Sequence, residues 1–284
     1  MSSDIVAGLP HVETMLNYLV DKTEKPVTYM YTPPPGTPPR TGRYAPYPMS
    51  VYDGRAILPQ ISLDTYGFVL AHHETKVANF YDEDEVRAVY YAEVEQLVKE
   101  VTGAVKVVVF DHNVRCTPMS QRGENGAREP VKSAHNDYTL RSGPQRVRDL
   151  LDADEAEERL QHRFAEINIW RPIRGPVEEA PLAVCDARSM VLEDFVAMDL
   201  KYRDRIGEVY SVAFNPQHRW FYFPHMQKNE ALFLKCYDSM SDGRARFTAH
   251  TAFDDPTSPP NAPARESIEA RTLVFFAPEG KGKS

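Results

Sequence analysis

His135 and Asp137 stand two residues apart in SAHNDYT (133–139), in a chain of 284 residues with nine histidines. In an extended segment residues i and i+2 project to the same side, so an imidazole and a carboxylate at this spacing converge on one point. Two imidazoles and one carboxylate occupy one face of an octahedral ferrous ion and leave three positions open for an oxidant and a co-substrate. His-x-Asp supplies two of those ligands. The spacing alone is common, and two ordinary polar residues are the competing reading.

The third ligand has to come from a distant strand. His218 in NPQHRWFYF, His225 in FPHMQKN and His250 in RFTAHTAFDDP are downstream candidates, whereas His162 lies in a charged stretch and is expected in solvent. His250 is preferred, with His218 as the alternative, because RESIEARTLVFF follows His250 and carries Arg265 and Ser267 two apart at the start of a strand. Arg271 shares their face by parity. A guanidinium fork takes a carboxylate bidentately and a neighbouring hydroxyl adds a hydrogen bond, which is the anchor a small dicarboxylate co-substrate requires. The plainer alternative is an exposed strand face on which Arg265 and Arg271 pair with Glu266 and Glu269.

Other residues carry two readings each. Asn168 and Arg171 in NIWRPI are candidates for co-substrate or substrate contacts, and Arg171 before proline suits a strand-end salt bridge equally well. Trp170 and Trp220 are core residues or walls for a flat organic molecule. Lys235 in LFLKCY reads as an edge-strand residue, and Tyr138 as a substrate contact.

These residues need elements to position them. Residues 22–60 contain YTPPPGTPPRTGRYAPYP, where fixed φ angles and missing donors exclude helix and central strand, so residues 1–63 are expected to be an extended proline-rich arm. YGFVLAHHET predicts a short strand. DEDEVRAVYYAEVEQLVKEVTG predicts a helix capped by Asp82, with Glu85 three residues on and Gly103 closing its end. VKVVVF (105–110) reads as a buried strand, which completes an N-terminal α/β layer over 64–116. Residues 117–132 are expected to be a polar loop, read as a plain surface loop in preference to a mobile lid, and SGPQRVRDLL with DADEAEERL predicts helix. From 164 onward, FAEINIW, PLAVCDA, EVYSVAF, RWFYF, EALFLKCY, RFTAHTAF and SIEARTLVFF are short β segments between turn residues, as in an antiparallel sandwich or barrel core over 131–278. The whole is expected to be a single domain.

A net charge of −8 without clustered Lys and Arg argues against nucleic-acid binding. Cys116, Cys185 and Cys236 lie far apart, which suggests neither a disulfide framework nor a thiolate zinc site. MSSDIVAGLP reads as no leader and no window reaches the length of a membrane span, so a cytoplasmic location is expected. Nothing in the pattern fixes the oligomeric state.

The order His-x-Asp, distant His and Arg-x-Ser resembles the Fe(II)/2-oxoglutarate dioxygenases. The text GAVKVVVFDHNVR, HNDYT, INIWRPIRGPVEEAPLAVCDARS, NPQHRWFYF, LFLKCYDS and HTAFDDP...RESIEARTLVFF is similar to the fungal secondary-metabolite hydroxylase/desaturase family, related to gibberellin desaturases and cephamycin methoxylation proteins. This resemblance covers roughly residues 64–276. It implies a mainly β fold with flanking helices, whose core is a double-stranded β-helix, the jelly roll of cupins. It implies Fe(II) held by His135, Asp137 and His250, with 2-oxoglutarate and O2 as co-substrates and Arg265 with Ser267 on the distal carboxylate. It also implies hydroxylation or desaturation of a small hydrophobic natural product. The family usually has an apolar residue between His and Asp where this chain has Asn136, whose side chain is expected to point away from the metal. A metal-dependent isomerase on the same fold and a non-catalytic binding protein are the rival readings.

Overall fold

A computed structural model describes residues 5–278, so the first four residues of MSSDIVAGLP lie outside it. In chain order the first strands are β1 (His11–Leu19), β2 (Val27–Tyr29), β3 (Tyr44–Asp53), β4 (Phe68–His72), β5 (Lys106–Arg115), β6 (His135–Asn136) and β7 (Phe164–Pro172). They are followed by β8 (Leu182–Cys185), β9 (Phe195–Lys201), β10 (Ile206–Val212), β11 (Trp220–Tyr222), β12 (Glu230–Asp238), β13 (His250–Ala252) and β14 (Ser267–Phe275). The helices are α1 (residues 83–102), α2 (Thr117–Gln121), α3 (Ser142–Leu150) and α4 (Ala153–Leu160). Among the described residues no helix is long and apolar enough to cross a membrane.

A nine-stranded sheet runs β1-β3-β11-β8-β13-β6-β10-β9-β2, and a five-stranded sheet runs β4-β12-β7-β14-β5. Trp170, Leu232, Leu234 and Leu273 of the smaller sheet meet Val184, Tyr210 and Phe221 of the larger in one core, so the sheets face each other. The protein is thus mainly β with flanking helices. Helix α1 covers the outer face of the smaller sheet, where Val86, Tyr90, Val94 and Leu97 pack on Ile167, Ile169, Phe233 and Ile268.

Helix α1 follows its sequence signals. The Asp82 carboxylate accepts from the backbone N–H groups of Asp84 and Glu85, and Gly103 takes the left-handed conformation at φ 71° that ends the helix. Glu85 does not close a capping box; its carboxylate accepts from the N–H groups of Ala78 and Asn79 instead. Val86–Tyr90 forms a single π turn within the helix.

Three expectations are corrected. Residues 22–60 do not form an arm, since they contain β2 and β3, and β3 lies inside the larger sheet between β1 and β11. Pro46 and Pro48 are tolerated there because they pair with β1 at Asn17 and Met15, while the ladder to β11 starts only at Val51. Prolines two apart present their donor-less nitrogens to the same side, and that side has no strand beside them. VKVVVF (105–110), expected as a buried strand, is buried only in part: it lies in β5, an edge strand paired with β14 in the smaller sheet, where Val107 and Val109 are buried and the preceding Val105 is exposed. Lys235 is no edge residue. Strand β12 lies between β4 and β7, and the ammonium, 1% exposed, pairs with Asp64 at 2.5 Å and Asp238 at 3.0 Å.

Candidate metal centre and its cavity

His135 and His250 are far apart in sequence but directly opposite in the ladder, because β13 pairs with β6 through these two residues. Their ring centroids are 4.4 Å apart. Asp137 follows β6, and its Oδ1 lies 3.7 Å from His135 Nε2 and 4.0 Å from His250 Nε2. Candidate ligand atoms of the three residues all lie within 4.8 Å of one another.

Backbone carbonyls fix the tautomer of both rings. His135 Nδ1 is 2.8 Å from the Ser133 carbonyl and His250 Nδ1 is 3.0 Å from the Thr248 carbonyl. A carbonyl only accepts, so each Nδ1 carries the hydrogen, and it is Nε2 of each ring that lies beside Asp137 as the candidate ligand atom. Burial, reinforced by His250, pushes the His135 imidazole down to about 3, which keeps it neutral at ordinary pH.

The smaller sheet holds the carboxylate. Asp137 Oδ2 accepts from Asn168 Nδ2 at 2.8 Å and from Arg271 Nε at 3.0 Å, and Asn168 and Arg271 are cross-strand partners on β7 and β14. Burial opposes ionisation of Asp137, but the Arg271 guanidinium above all, together with the Asn168 hydrogen bond, holds the carboxyl well below its usual range. Two imidazoles and one carboxylate on a single face fit a ferrous ion.

Arg265 and Ser267 lie at the start of β14, 3% and 0% exposed. Arg265 Nη1 donates to the Ala180 carbonyl at 2.5 Å and its backbone N–H to Glu179 Oε2 at 2.8 Å. Its Nε and the Ser267 hydroxyl are buried without a partner. Each such orphan costs about 1–3 kcal/mol, and a cation and a hydroxyl donor two residues apart suit one carboxylate. Burial, then Arg115, lowers the Arg265 guanidinium to about 9, so it stays charged near neutrality.

Arg271 is engaged by Asp137, by Asp111 at 3.4 Å and by Glu269 at 3.5 Å, so it orients a candidate ligand and is not free for a co-substrate. Asn168 does the same through its amide nitrogen, while its Oδ1 is buried without a partner. Arg171 points elsewhere. It is fully buried, donates to the carbonyls of His73 and Lys228 and lies over the Tyr90 ring of α1, on the face of β7 away from Asp137. His218 also lies apart. Its Nε2 is 3.0 Å from Asp194 Oδ2 and its Nδ1 is 3.2 Å from the Tyr18 hydroxyl, so both ring nitrogens are used. Trp170 and Trp220 pack in the cores, and His225 is an exposed turn residue with φ 52°. Asn136 points away from Asp137 and donates to the carbonyls of Tyr138 and Cys236.

A cavity of about 850 Å³ is lined by His135, Asp137 and Tyr138. Arg115, at the end of β5, lines it as well and lies opposite Ser267 in the ladder; alternation from residues 105–110 does not reveal it, because a register shift between Val109 and Asp111 reverses the faces of the strand beyond that point.

Comparison with known proteins bears on this site. The chain matches the family model described as "Oxidoreductase/YMDC permease-like domain" over residues 16–275. It is 35% identical to the hydroxylase/desaturase efuI of Hormonema carpetanum, covering 94% of this chain and 96% of that one. It is 32% identical to the Fe(II)/2-oxoglutarate-dependent dioxygenase nvfI of Aspergillus novofumigatus, covering 89% of this chain and 92% of that one. The solved structure of the iron and alpha-ketoglutarate-dependent endoperoxidase NvfI is similar at a TM-score of 0.84 and 29% identity, covering 94% of this chain and 98% of that one.

Proposed function

The chain belongs to the family of fungal Fe(II)/2-oxoglutarate-dependent hydroxylases and desaturases of secondary metabolism, and from that premise we propose that His135, Asp137 and His250 are its iron ligands. The observation that carries this reading is that both Nε2 atoms lie 3.7 and 4.0 Å from Asp137 Oδ1 while every other polar atom of the three side chains has a protein partner. His218, with both nitrogens engaged by Asp194 and Tyr18, is set aside as the alternative third ligand.

Arg265 and Ser267 are the proposed anchor for the distal carboxylate of 2-oxoglutarate, supported by their buried and unpartnered Nε and Oγ. Arg271 and Asn168 act through Asp137, holding one oxygen so that the other is presented in a fixed direction. The paired sheets are read as a double-stranded β-helix within one domain. The three free, buried cysteines suit a cytoplasmic location.

Bound ferrous iron with 2-oxoglutarate and O2 supplies the oxidising power to take hydrogen from an unactivated carbon. The chain's own part is positional. The Ser133 and Thr248 carbonyls hold the imidazole hydrogens on Nδ1, the sheets exclude water from the ligand side, and the cavity presents a small-molecule substrate to His135 and Asp137. The test is succinate formation from 2-oxoglutarate with iron, ascorbate and a panel of natural-product scaffolds. The wild type is expected to form succinate and His135→Ala none; equal turnover by both would overturn the assignment.

A further inference from the structure

The 850 Å³ cavity beside the candidate metal centre has both an apolar and a cationic lining. Met30, Met198, Leu200, Ile206 and Val209 supply the apolar part, from residues next to β2 and from the β9–β10 hairpin. Among the arginines that line it, five come from separate parts of the chain: Arg40 before β3, Arg115 at the end of β5, Arg128 before β6, Arg141 before α3 and Arg205 in the β9–β10 hairpin. This concentration of positive charge occurs in a chain whose net charge is −8.

The acids that line the same cavity make their direct ion pairs with other cations, although Arg141 contributes to the field that lowers the Glu208 carboxyl. Asp137 is held by Arg271. Glu208 pairs with Lys25 at 2.7 Å and accepts from Thr139 Oγ1 at 2.6 Å. Asp149 lies 4.0 Å from Arg146. Among the described residues, Arg40, Arg128, Arg141 and Arg205 have no carboxylate in ion-pair contact, although Arg40 lies 4.0 Å over Tyr44 and Arg205 lies 3.9 Å over Tyr202. The proposed 2-oxoglutarate anchor does not draw on them either, since Arg265 and Ser267 are not part of this lining.

We propose that the substrate is an apolar organic acid, whose carboxylate is read by Arg128 and Arg141 at the cavity wall while its hydrocarbon body lies against Met198, Leu200 and Val209. Charge-assisted, bidentate pairing explains the guanidinium groups, and the apolar side chains of the lining explain why a small polar acid alone would not fill the site. The proposal rests on the oxygenase reading of the cavity and adds a chemical class to its substrate.

Calorimetry on the metal-free full chain tests it, with three acid and methyl-ester pairs as probes: a tricyclic diterpenoid acid, a steroidal acid and dodecanoic acid. At least one acid is expected to bind ten-fold or more tightly than its ester, with the difference shrinking as salt rises. The Arg128→Gln, Arg141→Gln double variant, with its melting temperature checked against the wild type, is expected to bring that acid down to the affinity of its ester. Three results would overturn the proposal: no acid binding more tightly than its ester, a preference that survives in the folded double variant, or competitive displacement of the acid by 2-oxoglutarate. None of these needs iron, so failure here is separable from failure of the oxygenase reading, which would show as absent succinate formation by the loaded enzyme.

Discussion

Arg271 Nε donates to Asp137 Oδ2 at 3.0 Å, so a residue of the smaller sheet fixes the carboxylate that the larger sheet brings beside its two histidines. The centre is therefore assembled from both sheets, and its geometry depends on how they pack.

Removing that guanidinium should loosen the carboxylate without deleting it. Arg271→Gln is expected to weaken Fe(II) binding by about 10–100-fold, the usual range for a residue that orients a ligand. Because Arg271 helps hold the Asp137 carboxyl below its ordinary range, the variant should lose iron at a higher pH than the wild type as acid is added. Anaerobic Fe(II) titrations at pH 7.5 and 5.5 measure both effects; equal affinities at both pH values would contradict this role.

His218 and His250 should separate cleanly. His218→Ala removes one hydrogen bond each from buried Asp194 and Tyr18, which keep Val191, Asn215 and Trp220 as partners, and is expected to cost about 1–3 kcal/mol of stability while leaving iron stoichiometry unchanged. His250→Ala should abolish iron binding with a smaller loss of melting temperature. Metal analysis beside thermal denaturation distinguishes them, and the reverse pattern would exchange their roles.

Arg265→Gln and Ser267→Ala should raise KM for 2-oxoglutarate, by about 10–100-fold for the arginine, in line with about 1.5–3 kcal/mol for a charged hydrogen bond. Fe(II) affinity should not change. Steady-state succinate formation provides the KM, and an unaltered value in both variants would remove these residues from the anchor.

Glu166 is fully buried with both carboxylate oxygens unpartnered, and burial raises its pKa well above the ordinary 4.5. The folded state keeps the proton that the unfolded chain releases above that value, so folding stability falls as pH rises from about 4.5 toward the folded pKa. Glu166→Gln carries no such proton. Melting temperatures from pH 5 to 8 should decline less steeply in the variant than in the wild type; parallel curves would refute the assignment.

The sequence carried what is local and periodic. Asp82 and Gly103 marked the ends of α1, and the His-x-Asp spacing marked one half of the centre. What it did not carry is register. Arg271 was on the correct face by parity, but its bond to Asp137 exists because β14 pairs with β7 and the smaller sheet then closes over the larger. Arg171 lay three residues from Asn168, and odd spacing on one strand sent it to the opposite face, toward Tyr90. Pro46 and Pro48 hid β3, because a proline forbids a ladder only on the side its nitrogen faces. Arg40, Arg115, Arg128, Arg141 and Arg205 carry no sequence signature, since they come from five separate segments.

The ligand assignment is tested most directly by anaerobic Fe(II) titration of the wild-type chain and of His135→Ala, Asp137→Ala and His250→Ala, each confirmed as folded. About one tightly bound ferrous ion per wild-type chain is expected, together with visible charge-transfer absorption when 2-oxoglutarate is added, and neither signal in any of the three variants. Stoichiometric iron retained by a folded variant would contradict a centre built from these three residues.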